Sequence, residues 1–115
     1  MATSTMANPN AKATVTITTD TSKIAVRNWG KITARIVNGL LIIIGHGVYA
    51  LNPIANETVV ATVSGVSNVE AASVAAKVDG QDDPGIAMFA GNTLRMINVH
   101  NADKAIYFTI VVPLL

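Results

Sequence analysis

The side chains best suited to bind a ligand in this chain are two aromatic residues. Trp29 and Tyr49 belong to a set of one Trp, two Tyr and two Phe. An indole ring can stack on the apolar C–H face of a sugar, while Asn, Asp, Arg and His side chains bond the sugar hydroxyls. Trp29 stands where we expect a turn, and binding residues are common in loops. Packing of Trp29 over the edge of the core is the alternative.

Two histidines are also candidates, and each has an ordinary structural explanation beside the functional one. His46 lies between two glycines, which leave the backbone around it free for a ligand; a histidine in a bulge or turn is the alternative. His100 ends a predicted strand close to Asp103, which suggests a polar site; a solvated turn is the alternative. Two distant histidines in a chain without cysteine do not form a metal-ligand pattern, so we expect no metal and no cofactor.

A shallow polar and aromatic surface is therefore the site that these residue types favour. Its candidate saccharide-binding residues are Trp29, His46, Tyr49, Arg95, His100 and Asp103.

Enzymatic chemistry has little support in the sequence. Asp79, Asp82 and Asp83 invite a calcium hypothesis, but the spacing of an EF-hand loop and its closing Glu are missing. An exposed acidic loop is the better interpretation. No G-x-S-x-G elbow and no glycine-rich phosphate loop occur. We expect a protein that is not an enzyme.

Composition indicates a chain that associates with others. The 115 residues suit one domain. Charged residues make up 13% and hydrophobic residues 50%, and such depletion of charge is typical of the core of a protein–protein interface. The net charge of +1 comes from scattered residues rather than from a basic stripe. We expect no nucleic-acid partner, because phosphate binding needs clustered basic residues.

The ends and the apolar stretches give no sign of membrane insertion. The most apolar stretch, residues 36–51, is interrupted by polar and glycine residues and is shorter than a spanning helix. We expect residues 1–13 to be a flexible lead-in, and its first ten residues resemble no signal peptide. Residues 14–115 are then a single β domain.

The elements that must position these candidates are predicted to be strands. Asn38-Gly39 between two apolar runs is the strongest short-range signal of a hairpin, because a type I′ turn requires positive φ at both positions. Ile32, Ala34 and Ile36 share one face of the first strand. The second strand is apolar on both faces, so we expect cover on both sides. The predicted strands are residues 14–18, 23–27, 31–37, 40–44 continuing to 48–51, 57–63, 73–78, 86–90, 93–100 and 104–112.

Three of these predictions carry later consequences. Glycine inside a strand often marks a bulge, and Gly45-His46-Gly47 interrupts the strand after the hairpin. In the strand at 57–63, alternation puts Val59, Ala61 and Val63 on one face. Residues 66–78 are ambiguous: Ser67-x-x-Glu70 fits a helix capping box, whereas alternation favours a strand at 73–78.

The last strand finishes apolar, with Ile106, Phe108, Ile110 and Val112 on one face. Chain ends usually fray unless they are tied down, so this end suggests docking near a subunit contact. Short strands separated by turns at this spacing are typical of an antiparallel sandwich, barrel or jelly roll. The fold class is therefore all-β, a small antiparallel β-sandwich or jelly roll.

The order of these elements resembles the receptor-binding head domains of tail and baseplate proteins in siphophages of lactic bacteria. The residues that carry the resemblance are 29–32, 35–40, 58–63, 91–95 and the terminal strand near Tyr107. It covers most of residues 23–112 as a pattern of strands and turns. The resemblance implies a trimeric β head that binds cell-surface saccharide. This chain is poorer in aromatic residues than those heads, and we expect no shaft or collagen-like repeat before it.

Our first functional hypothesis is a virion protein, assembled in the host cytoplasm, that recognises a host glycan. Its expected partners are two further copies of the chain, other virion proteins and the cell-wall glycan. The alternative is a capsid-decoration or tail protein that cements neighbouring subunits and binds no ligand. A third option is a secreted carbohydrate-binding module.

Overall fold

The computed structural model describes residues 14–66 and 70–114, and it has an all-β architecture. The strands are β1 (Thr16–Thr19), β2 (Ile24–Val37), β3 (Leu40–Ala50), β4 (Thr58–Ser64), β5 (Ala72–Val78), β6 (Gly85–Ala90), β7 (Thr93–Ile97) and β8 (Ile106–Pro113). The expected antiparallel all-β class is confirmed. The lead-in predicted for residues 1–13 lies outside the described residues.

All eight strands pair antiparallel in one sheet, in the order β1-β4-β7-β6-β5-β8-β3-β2. Strands β1 and β2 stand at opposite ends of this order, yet the turn at residues 20–23 joins them directly. Across this turn, the amide of Ile24, the first residue of β2, donates to the carbonyl of Asp20 at 3.1 Å. The two ends of the sheet therefore come together, and the sheet is nearly closed. Such closure protects edge strands from pairing with other chains.

The predicted hairpin forms between β2 and β3. Asn38 and Gly39 have φ values of 51° and 77°, as a type I′ turn requires. The register pairs Val37 with Leu40 and continues without a break to Lys31 opposite His46. Local sequence chemistry therefore sets this register.

Strand β4 corrects one predicted face. Val59 is exposed, whereas Val60, Ala61 and Val63 are buried. The cause is a bulge: the register with β7 shifts between Val59 and Ala61. One extra residue in a strand moves the following side chains to the opposite face, so Val60 points inward next to Ala61.

The sheet folds into two layers, one of β1, β4, β7 and β6 and the other of β8, β3 and β2, and strand β5 joins them. It pairs with β6 along Ala72–Ala76, then with β8 at Lys77 and Val78. The strand predicted at 73–78 is therefore confirmed. Ser67, the first residue of the possible capping box, lies outside the described residues.

The core lies between the two layers and consists of apolar side chains from both. Among the described residues, no polar or charged side chain is buried. The largest fully buried side chains are Phe89, Ile24, Leu41, Ile43, Leu94, Met96, Ile106 and Ile110.

Near the β2–β3 turn, the outer face of β2, β3 and β8 is largely apolar but incompletely covered. The register aligns Arg35, Ile42 and Val111 across the three strands, next to Val37 and Leu40. Val111 is 46% exposed, Val37 37% and Leu40 36%, and Ile42 is half-buried. The prediction that β3 is covered on both sides is therefore wrong for a single chain, because the core covers one face and neighbouring side chains only part of the other.

Candidate functional site

The candidate site begins with an irregularity in the long strand β2. Its register with β3 runs through Val26 opposite Val48, then resumes at Lys31 opposite His46. Four residues of β2 therefore face the single residue Gly47. The surplus backbone bends outward, which leaves Trp29 56% exposed. The predicted turn at Trp29 is thus wrong: the strands predicted at 23–27 and 31–37 merge into the single strand β2, which begins at Ile24, and Trp29 belongs to a bulge within it.

Gly47 is the residue that lets the indole of Trp29 pack closely against β3. Its φ of 70° is in the left-handed region that glycine adopts without strain. A Cβ atom added at Gly47 would lie 2.6 Å from Cζ3 of Trp29. The register between β3 and β8 also shifts at this point, between His46 and Val48. The bulge predicted at the Gly-His-Gly triplet is therefore confirmed, and it forms the seat of the indole.

Three rings meet above this seat, and we call Trp29, His46 and Tyr107 the aromatic patch. The ring centroids of Trp29 and Tyr107 are 6.4 Å apart, with 24° between the ring planes. The His46 ring meets both edgewise, 5.7 Å from Trp29 and 5.0 Å from Tyr107. Offset and edge-to-face pairs at these distances are favourable, so the rings hold one another in place.

Basic residues lie at both ends of the same cross-strand row. The register pairs Lys31 of β2 with His46 of β3, and Lys77 of β5 with Tyr107 of β8. Residues paired directly across a sheet point to the same side. Hydrogen-bond donors therefore flank the aromatic patch on two sides.

A second group joins the patch on the side of the β7–β8 loop. The guanidinium carbon of Arg27 lies 4.2 Å from the centre of the Tyr49 ring, a cation–π contact. The same guanidinium donates to the backbone carbonyl of Asp103 at 2.7 Å and lies 3.1 Å from its carboxylate. Arg27 thus ties together Tyr49 and Asp103, both predicted from the sequence.

The Tyr107 hydroxyl extends the patch towards the β5–β6 loop. It donates to the carboxylate of Asp79 across 3.5 Å. Desolvation is the largest cause that raises the pKa of Tyr107 above 10.0; the nearby charge of Asp79 acts in the same direction, and Arg27 acts in the opposite one. Tyr107 is therefore a neutral donor at physiological pH.

Arg95 lies apart from the aromatic patch. It stands on β7, in the other layer of the sheet. Its Nη1 lies 2.7 Å from the carboxylate of Glu57, and its Nε donates to the Thr93 hydroxyl at 3.0 Å. It borders an open depression of about 400 Å³ that Ser73 and Met88 also line. The sequence could not separate the two layers, because strand order is a long-range property.

His100 also lies outside the aromatic patch. Strand β7 ends at Ile97, earlier than predicted, because Asn98 turns the chain with a φ of 66°. The Nε2 atom of His100 lies 3.1 Å from each carboxylate oxygen of Asp83. Its partner is therefore the β5–β6 loop.

Of the six predicted site residues, the structure brings Trp29 and His46 into contact and links Tyr49 and Asp103 through Arg27. The sequence interpretation missed Tyr107, Arg27 and Asp79. Tyr107 was already placed on the outward face of the last strand by alternation. The missing information was the pairing of β3 with β8, which brings Tyr107 opposite His46.

Two features are absent from the part of the chain that the structure describes. No group of three or more His, Cys, Asp or Glu side chains there converges as metal ligands would. None of the described residues belongs to a helix long and apolar enough to cross a membrane.

Comparison with known proteins gives one informative likeness, and it concerns the fold. No family model matches the chain, and no curated protein matches it. A crystal structure of the head domain of phage bIL170, described in connection with a common fold for the receptor-binding domains of lactococcal phages, superposes with a TM-score of 0.67. The likeness covers 90% of this chain and 100% of that one, at 18% sequence identity. The chain therefore has the fold of a lactococcal phage head domain, as its order of strands and turns predicted.

Proposed function

We propose that this chain is a phage virion protein, assembled in the host cytoplasm, whose aromatic patch binds a saccharide of the host cell surface. The observation that carries this proposal is the exposed indole of Trp29, held beside Tyr107 and surrounded by side chains that bond hydroxyl groups. The likeness in fold to the head domain of phage bIL170 supports it.

The patch offers what a sugar ring requires. The indole supplies an apolar platform of which more than half is exposed. His46, Lys31 and Lys77 supply polar groups along one row, while Asp79 supplies an acceptor at its edge. Carbohydrate recognition of this kind needs a preformed surface and no catalytic group, so we propose adhesion without enzymatic activity.

The test is binding of the purified chain to an array of bacterial cell-wall polysaccharides and to isolated cell walls of lactic bacteria. We expect Trp29→Ala to abolish binding. Ile86→Ala is the matched control, because Ile86 is an exposed apolar residue (39%) in the other layer of the sheet. Equal binding by wild type and Trp29→Ala would contradict the proposed site. A wild-type chain that binds no wall and no glycan would instead favour a protein that cements neighbouring virion subunits.

The partner that we propose for the part of the outer face near the β2–β3 turn, away from the aromatic patch, is a second copy of this chain, within a homotrimer. Val37, Leu40 and Val111 leave this face apolar and partly exposed. Full burial of an aliphatic side chain contributes about 1.5–3 kcal/mol, so three such residues per chain favour association. The low charge of the chain, 13%, favours it as well.

Sedimentation equilibrium tests this partner independently of any ligand. We expect a mass of three times 12.0 kDa for the wild type, and dissociation by Val111→Asp. Asn101→Asp introduces the same carboxylate in an exposed loop outside the strands and should leave the mass unchanged. A monomeric wild type at all concentrations would contradict the trimer and leave the saccharide proposal standing on its own test.

A further inference from the structure

Two loops at one end of the sheet each deliver a carboxylate to the candidate site. The β5–β6 loop begins with Asp79, which accepts from Tyr107. The β7–β8 loop contains Asp103, which binds Arg27. The loops meet where the amide of Asp79 donates to the carbonyl of Ala105 at 2.9 Å. Whatever fixes the two loops relative to each other also fixes both carboxylates.

A network of four side chains joins these loops, and we call Gln81, Asp83, Asn98 and His100 the loop clamp. The Gln81 amide donates to the carbonyl of Asn98 at 2.7 Å and to that of Asp83 at 2.8 Å. Its oxygen accepts from the backbone amide of His100 at 3.0 Å. The side-chain nitrogen of Gln81 therefore bonds to both loops, and its oxygen adds a second bond to the β7–β8 loop.

Asp83 is the second connection across the clamp. The Nδ2 group of Asn98 donates to the Asp83 carboxylate and to the carbonyl of Pro84, each at 2.8 Å. His100 lies 3.1 Å from both carboxylate oxygens. These two partners, Asn98 first and His100 second, lower the pKa of Asp83 below 3.8. Asp83 is therefore ionised throughout the range in which histidine titrates.

The charge on His100 acts on this one carboxylate. Three other charged residues lie on the same two loops: Asp79, Asp82 and Lys104. Among the described residues, only Asp83 lies within ion-pair distance of His100. A neutral imidazole still donates one hydrogen bond to a carboxylate, whereas an imidazolium adds an ion pair to it. Protonation of His100 therefore strengthens its contact with Asp83, which already exists when the imidazole is neutral.

We propose that the loop clamp is a set of positioning residues that holds Asp79 and Asp103 at the aromatic patch, and that binding strengthens when His100 is protonated. The proposal rests on the proposed function, because its ligand is the saccharide at the patch. It adds a dependence on pH and assigns a role to His100, which lies outside the patch itself.

The first test needs no ligand. The backbone amides of Asp79 and Asp103 donate to the carbonyls of Ala105 and Ala50, both at 2.9 Å, so their hydrogen exchange reports local opening of the two loops. We expect lower protection, which compares the observed exchange rate with the intrinsic rate at the same pH, at both amides in Asp83→Asn and His100→Gln, and in the wild type at about pH 8 relative to about pH 5. Asp82→Asn is the matched control: it removes the same charge from the same loop, at an exposed residue. Unchanged exchange in Asp83→Asn and His100→Gln would overturn the proposal.

The second test measures binding to isolated cell walls of lactic bacteria at the same two pH values. An exposed ion pair shifts an equilibrium by about two- to five-fold, and we expect wild-type binding to weaken by that factor at the higher pH. This dependence of cell-wall binding on pH should vanish in His100→Gln and remain in Asp82→Asn. His46 is the histidine of the patch itself, so His46→Gln separates the contributions of the two histidines.

The outcomes of the two tests are distinct. A pH dependence that survives His100→Gln and vanishes in His46→Gln would overturn the role of the clamp and leave the saccharide site intact. A wild-type chain that binds no cell wall at either pH would overturn the proposed function and the clamp's part in binding, even if the exchange experiment showed that the clamp holds the loops.

Discussion

Replacing Gly47 by alanine should move the indole of Trp29 off its seat. The new Cβ atom would lie 2.6 Å from Cζ3 of Trp29, and ordinary contact begins at 3.4 Å. The indole is more than half exposed, so it can yield by turning outward. The substitution therefore changes the position of one ring rather than the packing of the core.

The stability cost can be separated from this displacement because the chain contains a matched position. Gly39 has a φ of 77°, close to the 70° of Gly47, but a Cβ added there meets no atom within 4 Å. A left-handed conformation costs a non-glycine residue about 1–2 kcal/mol. We expect Gly39→Ala to lower the free energy of unfolding by an amount in that range, and Gly47→Ala to lower it by about 0.5–1.5 kcal/mol more, because its indole also loses a ring contact.

Fluorescence distinguishes the two variants, since Trp29 is the single Trp of the chain. Loss of the stacked arrangement with Tyr107 should alter the emission of Gly47→Ala and leave that of Gly39→Ala as in the wild type. An aromatic contact contributes about 0.5–1.5 kcal/mol, so cell-wall binding should weaken about two- to twelve-fold in Gly47→Ala. Equal emission and equal binding in the two alanine variants would refute the idea that Gly47 seats the indole.

Three further predictions concern the fold itself. Phe89→Ala should lower the free energy of unfolding by about 3–5 kcal/mol in urea titrations, because the ring is fully buried; a loss below 1 kcal/mol would contradict its place in the core. Val60→Thr should cost about 1–3 kcal/mol by burying an unpaired hydroxyl, whereas Val59→Thr should change stability by less than about 0.5 kcal/mol; equal costs would contradict the bulge in β4. Hydrogen bonds from Ser22 lower the pKa of Asp20 below 3.8, so the stability that Asp20 contributes is present above pH 3.8 and is lost as pH falls through the lower folded-state value. Urea midpoints at about pH 7 and about pH 2 should therefore differ less in Asp20→Asn than in the wild type.

Local chemistry made much of the fold predictable. Asn38-Gly39 specifies a hairpin by itself, because the turn requires positive φ at both residues. Alternation in β8 also suffices, since the buried face holds Ile106, Phe108, Ile110 and Val112 as predicted. These signals act between residues that are close in the chain.

The bulges and the site depend on pairing between distant strands. Alternation could not reveal that Val60 and Ala61 both point inward, since this follows from how β4 meets β7. Trp29 and His46 were recognised by residue type, yet their neighbour Tyr107 lies more than 60 residues beyond either of them in the chain. Arg95 was grouped with them because residue type does not tell which layer of a sheet a side chain faces.

The joint between β5 and β8 has a mechanical consequence for an adhesion protein. Two register pairs connect these strands, compared with eight between β3 and β8. Under a pulling force, we expect the layers to part first along this short seam. Tyr107 and Asp79 lie on opposite sides of this seam. A glycan that bound both residues would link the two strands, so the force needed to separate them would be higher while the protein is attached to its host.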